Sequence, residues 1–198
     1  TITNYPDGKT AQAEIEVNPN EEVKRIRNIE SSKHIYIDAD DFMLDPPPKY
    51  FRLKPDGYVR LKGAYIIKCD EVVLGDNGEV KELLCSYVEN SKSGNDTSGI
   101  KCKGVIQWVN ADTAVDVEIR KYGYLLNDEE YAGQDFSLRM NKESVKVFNG
   151  KVEPYVFEND ADTCYQLIRT GYFKRLKVKD KEIISEVDSL KDNFNVKK

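Results

Sequence analysis

The segment Tyr58-Val-Arg-Leu-Lys62 alternates polar and apolar side chains and predicts a β-strand with one buried face. Val59 and Leu61 form the apolar set, and the three polar residues around them form the other. A turn sequence, Pro55-Asp56-Gly57, precedes the strand, because proline and glycine each supply a backbone angle that tight turns need. A short alternating strand bounded by a turn is typical of an all-β fold.

Most of the chain repeats the same arrangement of short strands and turns. Asp76-Asn77-Gly78 separates the apolar runs Ile66–Leu74 and Val80–Val88. Asn149-Gly150 follows the alternating segment Val145–Phe148 and predicts a hairpin, since both residues adopt positive φ angles readily. No long helical pattern alternates with the strands. The sequence therefore predicts an all-β fold, either a sandwich or a barrel.

The composition excludes several classes of protein. The 198 residues suit one large domain or two small ones, and 39% of them are hydrophobic, which is enough for a core. The 30 basic and 35 acidic residues give a net charge of −5, so the chain lacks the overall basic character of many nucleic-acid binders. Four separated cysteines and one histidine, His34, do not match the paired ligands of a structural zinc site. We expect no metal site.

Sequence motifs for catalysis are also missing. The chain contains no Gly-x-x-x-x-Gly-Lys phosphate loop, no Gly-x-Gly-x-x-Gly fingerprint and no Gly-x-Ser-x-Gly elbow. Pairs of carboxylates such as Asp40-Asp41 are common in so acidic a chain. We therefore expect no catalytic site within these 198 residues.

Two segments are basic although the whole chain is acidic. Lys49–Lys68 contains six basic residues and one acid, and Cys164–Lys181 has the same balance, so each carries +5. This distribution predicts a local basic surface. The alternative is a pair of solvated strand faces that bind nothing.

The residue types in these segments are those that recognise single-stranded RNA. Unstacked bases are held by planar cations and aromatic rings, and Arg60 shares its predicted strand face with a tyrosine and a lysine. Gln166 and Arg169 are three residues apart, so they converge only if the chain bends. Thr170-Gly171 is the expected place for that bend.

Several ordered segments resemble one family, the C-terminal anticodon-binding region of glutaminyl-tRNA synthetase, a class I aminoacyl-tRNA synthetase. The resemblance covers nearly the whole chain. It is carried by Thr3-Asn-Tyr5, Asn18-Pro-Asn20, Ile35-Tyr-Ile-Asp38, Tyr50-Phe-Arg-Leu53, Val59-Arg-Leu-Lys-Gly-Ala-Tyr-Ile-Ile-Lys68, Lys103-Gly-Val-Ile-Gln-Trp-Val109, Val117-Glu-Ile-Arg-Lys-Tyr122, Gln166-Leu-Ile-Arg-Thr-Gly-Tyr-Phe173 and Leu190-Lys-Asp192.

The resemblance implies two antiparallel β-barrels, proximal and distal, joined by short helical connections. We expect residues 17–116 to form the distal barrel, and residues 1–16 with 117–198 to form a discontinuous proximal barrel. In the family the anticodon loop binds where the barrels meet, with its three bases unstacked. The catalytic domain would lie outside this chain.

The resemblance also implies roles for individual residues. Arg60 and Lys62 match the pair that reads the first anticodon base, Gln166 and Arg169 match residues around the middle uridine, and Arg52 matches the arginine at the third base, a guanosine. The remaining matches are Lys49 beside that guanosine, Pro19 and Asn20 next to the loop, and Lys191 at the RNA backbone. Lys62 stands where the family usually has arginine, so it keeps the charge but loses the planar fork.

The function implied is recognition of the anticodon loop of glutamine tRNA, as part of an ATP-dependent ligase that attaches glutamine to tRNA. ATP and Mg²⁺ would belong to the absent catalytic domain, and this chain would need no cofactor. The expected partners are glutamine tRNA and the chain's own catalytic domain, without DNA or a membrane, in a monomeric cytoplasmic enzyme.

Two alternatives remain open from the sequence. One is the anticodon-binding domain of a glutamyl-type synthetase built on the same barrels. The other is a ribosomal-type β-barrel whose basic strands bind structured RNA or a protein.

Overall fold

The computed structural model describes residues 1–8, 11–127, 133, 135–160 and 163–190. By contacts between Cα atoms the chain divides into two compact units, Thr1–Ala114 and Val115–Lys198. Each unit has its own buried core and its own sheets, and each is described separately below.

Strands dominate the described residues, at 46% of the chain against 8% in helices. Their bounds, in chain order, are β1 Ala11–Glu16, β2 Ile26–Ser31, β3 Ile35–Ile37, β4 Tyr58–Leu61, β5 Ile66–Leu74, β6 Val80–Tyr87, β7 Val105–Ile106, β8 Trp108–Asn110, β9 Val115–Tyr122, β10 Val145–Val152, β11 Cys164–Leu167, β12 Gly171–Val178 and β13 Lys181–Ser189. The helices are single turns, namely the 3₁₀ turns Ala39–Asp41 and Glu89–Ser91 and the α-helices α1 Phe136–Arg139 and α2 Tyr155–Glu158.

In the first unit, β4 lies inside a four-stranded sheet of order β6-β5-β4-β7. It pairs antiparallel with β5 and parallel with β7. Two smaller sheets, β1-β2 and β3-β8, complete the unit. β4 has a neighbour on each side, with β5 along Tyr58–Arg60 and β7 along Arg60–Leu61, and these ladders set the directions of its side chains.

The core of the first unit confirms the period-two pattern of β4. Val59 and Leu61 are buried, whereas Tyr58 on the opposite face is exposed. Trp108 from β8 is the largest side chain buried there, and its indole N–H donates a hydrogen bond to the backbone carbonyl of Lys62 at 3.0 Å. This bond ties the core to the turn between β4 and β5.

The second unit consists of one five-stranded sheet of order β10-β9-β13-β12-β11. All neighbouring strands are antiparallel except β13 and β9, which run parallel. Phe173 and Ile184 are fully buried at the centre of its core, against Val117, Val152 and Val156.

The structure confirms the predicted all-β class and the short helical connections. Within the described residues the four sheets are open, because no first strand pairs with a last one. None of the helices there has the length and hydrophobicity that a membrane span requires.

The hairpin predicted at Asn149-Gly150 is wrong. β10 runs straight through both residues and pairs with β9, with Asn149 opposite Glu118 and Gly150 opposite Val117. The glycine serves packing instead of a turn, because a Cβ at position 150 would lie 2.5 Å from the Cδ1 atom of Ile119. By contrast, Asp76-Asn77-Gly78 does connect two paired strands, β5 and β6.

The division between the units falls after Ala114, two residues from the predicted boundary at 116/117. Residues 1–16 lie in the first unit, where β1 pairs with β2, whereas the prediction grouped them with 117–198. The assignment of the two units to distal and proximal barrels stays a prediction.

Gly104 provides a test of the packing around β4. A Cβ at this position would lie 1.6 Å from the backbone carbonyl oxygen of Phe51, and backbone cannot rotate away as a side chain can. We expect Gly104→Ala to lower the free energy of unfolding by at least about 1–3 kcal/mol, measured by urea denaturation. Gly123→Ala is the matched control, since its Cβ would meet nothing nearer than the Ser144 carbonyl at 3.9 Å. Equal stability of the two variants would contradict the close approach of Gly104 to the Phe51 carbonyl.

Candidate nucleic-acid interface

Arg60 extends from β4 on the face opposite the core and is held by two acceptors. One terminal nitrogen, Nη1, donates to the Ser91 carbonyl at 2.5 Å, and the other, Nη2, forms an ion pair with the Asp96 carboxylate. The side chain is only 18% exposed, so its guanidinium plane is fixed by these contacts. The other three N–H groups have no acceptor among the described residues.

The loop that carries Asp96 is anchored to the sheet. Ser91 is fully buried, where its hydroxyl accepts from the Ile66 N–H at 2.7 Å and donates to the Val88 carbonyl at 2.6 Å. Ser93 donates to the Ala64 carbonyl through both its backbone N–H and its hydroxyl. The segment Ser91–Gly99 is rich in serine, glycine, asparagine and aspartate, which is typical of an exposed loop, but Ser91 at its start is part of the core.

Local hydrogen bonds hold the Asp96 carboxylate within that loop. Its Oδ1 atom accepts from the backbone N–H of Ser98 at 2.8 Å and from the Ser98 hydroxyl at 2.7 Å. These bonds, together with the Arg60 guanidinium, hold the pKa of Asp96 below its usual value. The carboxylate is therefore ionised at neutral pH and opposes the charge of Arg60.

Arg52 also contacts one carbonyl and one carboxylate, but its carboxylate contact is an ion pair without a hydrogen bond. Its Nη1 donates to the Asp40 carbonyl at 2.8 Å, and its Nε lies 3.5 Å from Oδ1 of Asp41, which is 1% exposed. Both acceptors belong to the 3₁₀ turn Ala39–Asp41. Tyr50 donates its hydroxyl to the same Asp40 carbonyl at 3.3 Å, so the turn positions two side chains of one segment.

Lys62 lies in the turn after β4, because the strand ends at Leu61. It lines a shallow groove of about 230 Å³ together with Gly63, Pro19 and three residues of β1, which are Glu14, Ile15 and Glu16. The groove needs glycine at position 63, where φ is +71° and a Cβ would lie 2.7 Å from Ile15. The structure thus brings two predicted RNA-binding residues, Lys62 and Pro19, to one groove.

Pro19 and Asn20 are exposed in the loop between β1 and β2. The Asn18 side chain accepts from the backbone N–H of Asn20 at 3.0 Å, which forms a local turn. Lys24 donates to the Pro19 carbonyl at 2.7 Å. These bonds give the loop a defined conformation beside the groove.

Lys49 and Arg169, two further candidates, both occupy left-handed positions of tight turns. Their φ angles are +70° and +67°. Each is the third residue of a four-residue turn, closed by Tyr50 N–H to the Pro47 carbonyl at 3.2 Å and by Thr170 N–H to the Leu167 carbonyl at 2.8 Å. Glycine or asparagine is usual there, so a cation in this conformation is strained.

Gln166 and Arg169 belong to the hairpin that joins β11 and β12. Gln166 is exposed and pairs directly across the ladder with exposed Tyr172. The bend lies at Ile168–Arg169, two residues earlier than the predicted Thr170-Gly171. Cross-strand neighbours share a sheet face, so the tyrosine ring lies next to the Gln166 amide.

The predicted basic surface is partly neutralised within the first basic segment. Arg52 and Arg60 are paired as described, and the Lys68 ammonium lies 3.1 Å from Asp56 and 3.3 Å from Asp70. In the described ranges no group of three or more His, Cys, Asp or Glu side chains is placed to hold a metal ion. Lys191 lies outside the described residues.

Comparison with known proteins identifies the family. Two models of "tRNA synthetases class I (E and Q), anti-codon binding domain" match residues 1–88 and 105–175. The chain belongs to this anticodon-binding family.

Individual relatives agree with the family models. The chain is 41% identical over 201 residues to the glutamine–tRNA ligase of Clostridium perfringens, covering 99% of this chain and 36% of the relative. It is 40% identical over 174 residues to that of Nitrobacter hamburgensis, covering 88% and 31%, and 37% identical over 208 residues to that of Neisseria meningitidis serogroup A, covering 100% and 37%. This anticodon-binding chain thus spans about a third of the length of the ligases it matches.

Asp96, and the carbonyl of Ser91, are parts of the site that sequence reasoning missed. They lie 36 and 31 residues from Arg60, and no periodicity connects a strand with a loop at that separation. Asp96-Thr-Ser98 does form a local side-chain turn, which indicates an ordered carboxylate without naming its partner.

The turn at Arg169 allows backbone strain to be measured separately from the loss of the arginine side chain. We expect Arg169→Gly to be about 1 kcal/mol more stable than Arg169→Ala, because glycine adopts positive φ without the clash that any Cβ produces. Urea denaturation of the two variants measures this difference, and both lose the same arginine side chain. An alanine variant as stable as the glycine variant would show that the turn carries no strain.

Proposed function

We propose that the chain binds and reads the anticodon loop of glutamine tRNA as the C-terminal part of a glutamine–tRNA ligase. The observation that carries the proposal is the fixed orientation of Arg60 and Arg52, each held by one carbonyl and one carboxylate. The names of the relatives, which align with 88–100% of this chain, support the choice of glutamine tRNA.

A held guanidinium suits base recognition. Arginine presents its N–H donors in a rigid planar fork, and two of them can meet two acceptors on one base edge. A phosphate contact needs only a positive charge within reach, which a flexible lysine supplies as a point charge. Fixing the guanidinium before RNA binds therefore favours reading bases over neutralising the backbone.

The proposed roles follow the resemblance residue by residue. Arg60 and Lys62 would read the first anticodon base, and Arg52 with Lys49 would read the third. The other predicted contacts are Gln166 and Arg169 at the middle uridine, Pro19 and Asn20 beside the loop, and Lys191 at the phosphate backbone.

The groove beside Lys62 supports a base contact there. Glu14 and Glu16 line the same groove, and their charge repels a phosphate. A carboxylate can accept from the exocyclic amine of a base, while the Lys62 ammonium donates to a base acceptor.

The rest of the ligase reaction would take place outside this chain. A catalytic domain would bind ATP, Mg²⁺ and glutamine, and the present chain would contribute recognition without a cofactor. We propose a monomeric cytoplasmic enzyme that binds neither DNA nor membranes.

Binding of an anticodon stem-loop should depend on salt despite the net charge of −5. Each phosphate contact releases counterions, with a slope of about −0.7 in log K against log salt for single strands. Fluorescence titration of the chain with the stem-loop at several salt concentrations measures the slope. An affinity that does not change with salt would contradict phosphate binding, and equal affinity for glutamine and glutamate anticodon loops would contradict the assigned tRNA.

Arg60 and Arg169 should determine which RNA binds. We expect Arg60→Ala and Arg169→Ala each to cost about 1–3 kcal/mol on the cognate loop and less on loops with the corresponding base changed. Lys177→Ala, on an exposed position of β12, is the control and should affect all loops alike. Binding measurements with each anticodon base changed in turn test this. If the arginine variants lose the same factor on every loop, their role is charge neutralisation.

A further inference from the structure

We propose that Asp96 determines specificity by cancelling the charge of Arg60 while fixing its guanidinium, so that Arg60 selects a base edge and rejects a phosphate. This inference rests on the proposed function, since it deepens the role of Arg60 in reading the anticodon. Asp96 acts through Arg60 and is therefore a positioning residue.

The contacts leave Arg60 with limited freedom to meet a ligand. Nη1 is directed at the Ser91 carbonyl and Nη2 at Asp96, on the two terminal nitrogens of the guanidinium. Any ligand must approach the remaining donors in the same plane. Two acceptors on a base edge lie in one plane and satisfy this requirement.

Asp96 is itself rigid enough to impose the orientation. Two bonds from Ser98 hold its carboxylate, and Ser91 and Ser93 anchor the surrounding loop to the sheet. The Asp96 side chain is 26% exposed, so water screens the pair only in part. An induced movement that separates the pair would have to disturb these anchored contacts.

Charge decides between the two kinds of ligand. A phosphate that binds Arg60 must either displace Asp96 or lie near its negative charge, and both outcomes are unfavourable. A neutral base edge meets no such repulsion. The ion pair therefore weakens binding to RNA backbone in general and preserves binding to a base with the correct acceptors.

Arg52 provides an independent instance of the arrangement in the same unit. It also combines a carbonyl acceptor with a carboxylate, here the buried Asp41. The two proposed base-reading arginines of the first unit thus each contact one carbonyl and one carboxylate. Asp96 is the better one to test because its loop is exposed, whereas Asp41 is part of the core.

The experiment compares Asp96→Asn with the unaltered 198-residue chain. Asparagine removes the charge and keeps one oxygen, which can accept from Ser98, while its amide nitrogen takes the place of the oxygen that accepts from Arg60. Asp7→Asn is the matched control, since it removes the same charge from another surface ion pair of the unit, at 2.9 Å from Lys33. The ligands are the glutamine anticodon stem-loop, loops with each anticodon base changed, and oligouridine.

For Asp96→Asn binding to oligouridine, we expect the slope of log K against log salt to be steeper by about 0.7. The affinity of this variant relative to the unaltered chain then rises about fivefold for each tenfold decrease in salt. Discrimination at the base read by Arg60 should fall at least about threefold as backbone binding competes. Asp96→Glu should retain the original slope, and the Asp96→Asn gain should vanish in an Arg60→Ala background. Asp7→Asn should leave slope and discrimination unchanged.

An unchanged slope and unchanged discrimination in Asp96→Asn would overturn the inference, as would an equal gain in Asp7→Asn. Failure of the proposed function is a separate result, namely that the unaltered chain does not prefer the glutamine anticodon loop. The oligouridine slopes would still decide whether Asp96 masks the charge of Arg60. Thermal melting of each variant identifies any loss of folding.

Discussion

The buried indole of Trp108 must have a hydrogen-bond acceptor, and the acceptor it uses lies in the turn that carries Lys62. An unpaired indole N–H in the core would cost about 1–3 kcal/mol, so the bond to the Lys62 carbonyl constrains the turn after β4. That turn contains Gly63, whose missing Cβ allows close approach to Ile15 of β1. The core therefore contacts, through this one polar atom, the backbone of a residue that lines the groove with Pro19.

The two proposed base-reading arginines of the first unit show why charge alone is a poor guide to function. The first basic segment carries +5, yet at least three of its six cations face carboxylates from elsewhere in the unit or the segment. Net local charge is therefore much smaller than the sequence count. In the proposed function this compensation favours specificity, because an oriented and compensated arginine binds anions in general less tightly and selects one arrangement of acceptors.

Local sequence patterns predicted the elements whose structure depends on local contacts. Tyr58–Leu61 was identifiable from its alternation, and Asp76-Asn77-Gly78 from turn chemistry, because each is stabilised by neighbours in sequence. Asn149-Gly150 failed since pairing of β10 with β9 outweighs the turn preference of two residues. The site residues came from resemblance to a family, whereas the Ser91 and Asp96 partners of Arg60 depend on contacts more than 30 residues apart, which no local pattern contains.

Strain and rigidity at the proposed recognition residues follow one physical requirement. A side chain that distinguishes bases must be placed before the ligand arrives, or binding must supply the cost of ordering it. The structure meets this requirement in two ways. Arg60 is ordered by hydrogen bonds to a carbonyl and a carboxylate, and Arg52 by a hydrogen bond to a carbonyl and an ion pair with Asp41. Lys49 and Arg169 are placed at turn positions that suit glycine better. Strained turns lower the stability of the chain, and compensated arginines lower its general affinity for anions. Such costs are expected to persist only where the orientation of the side chain has a function.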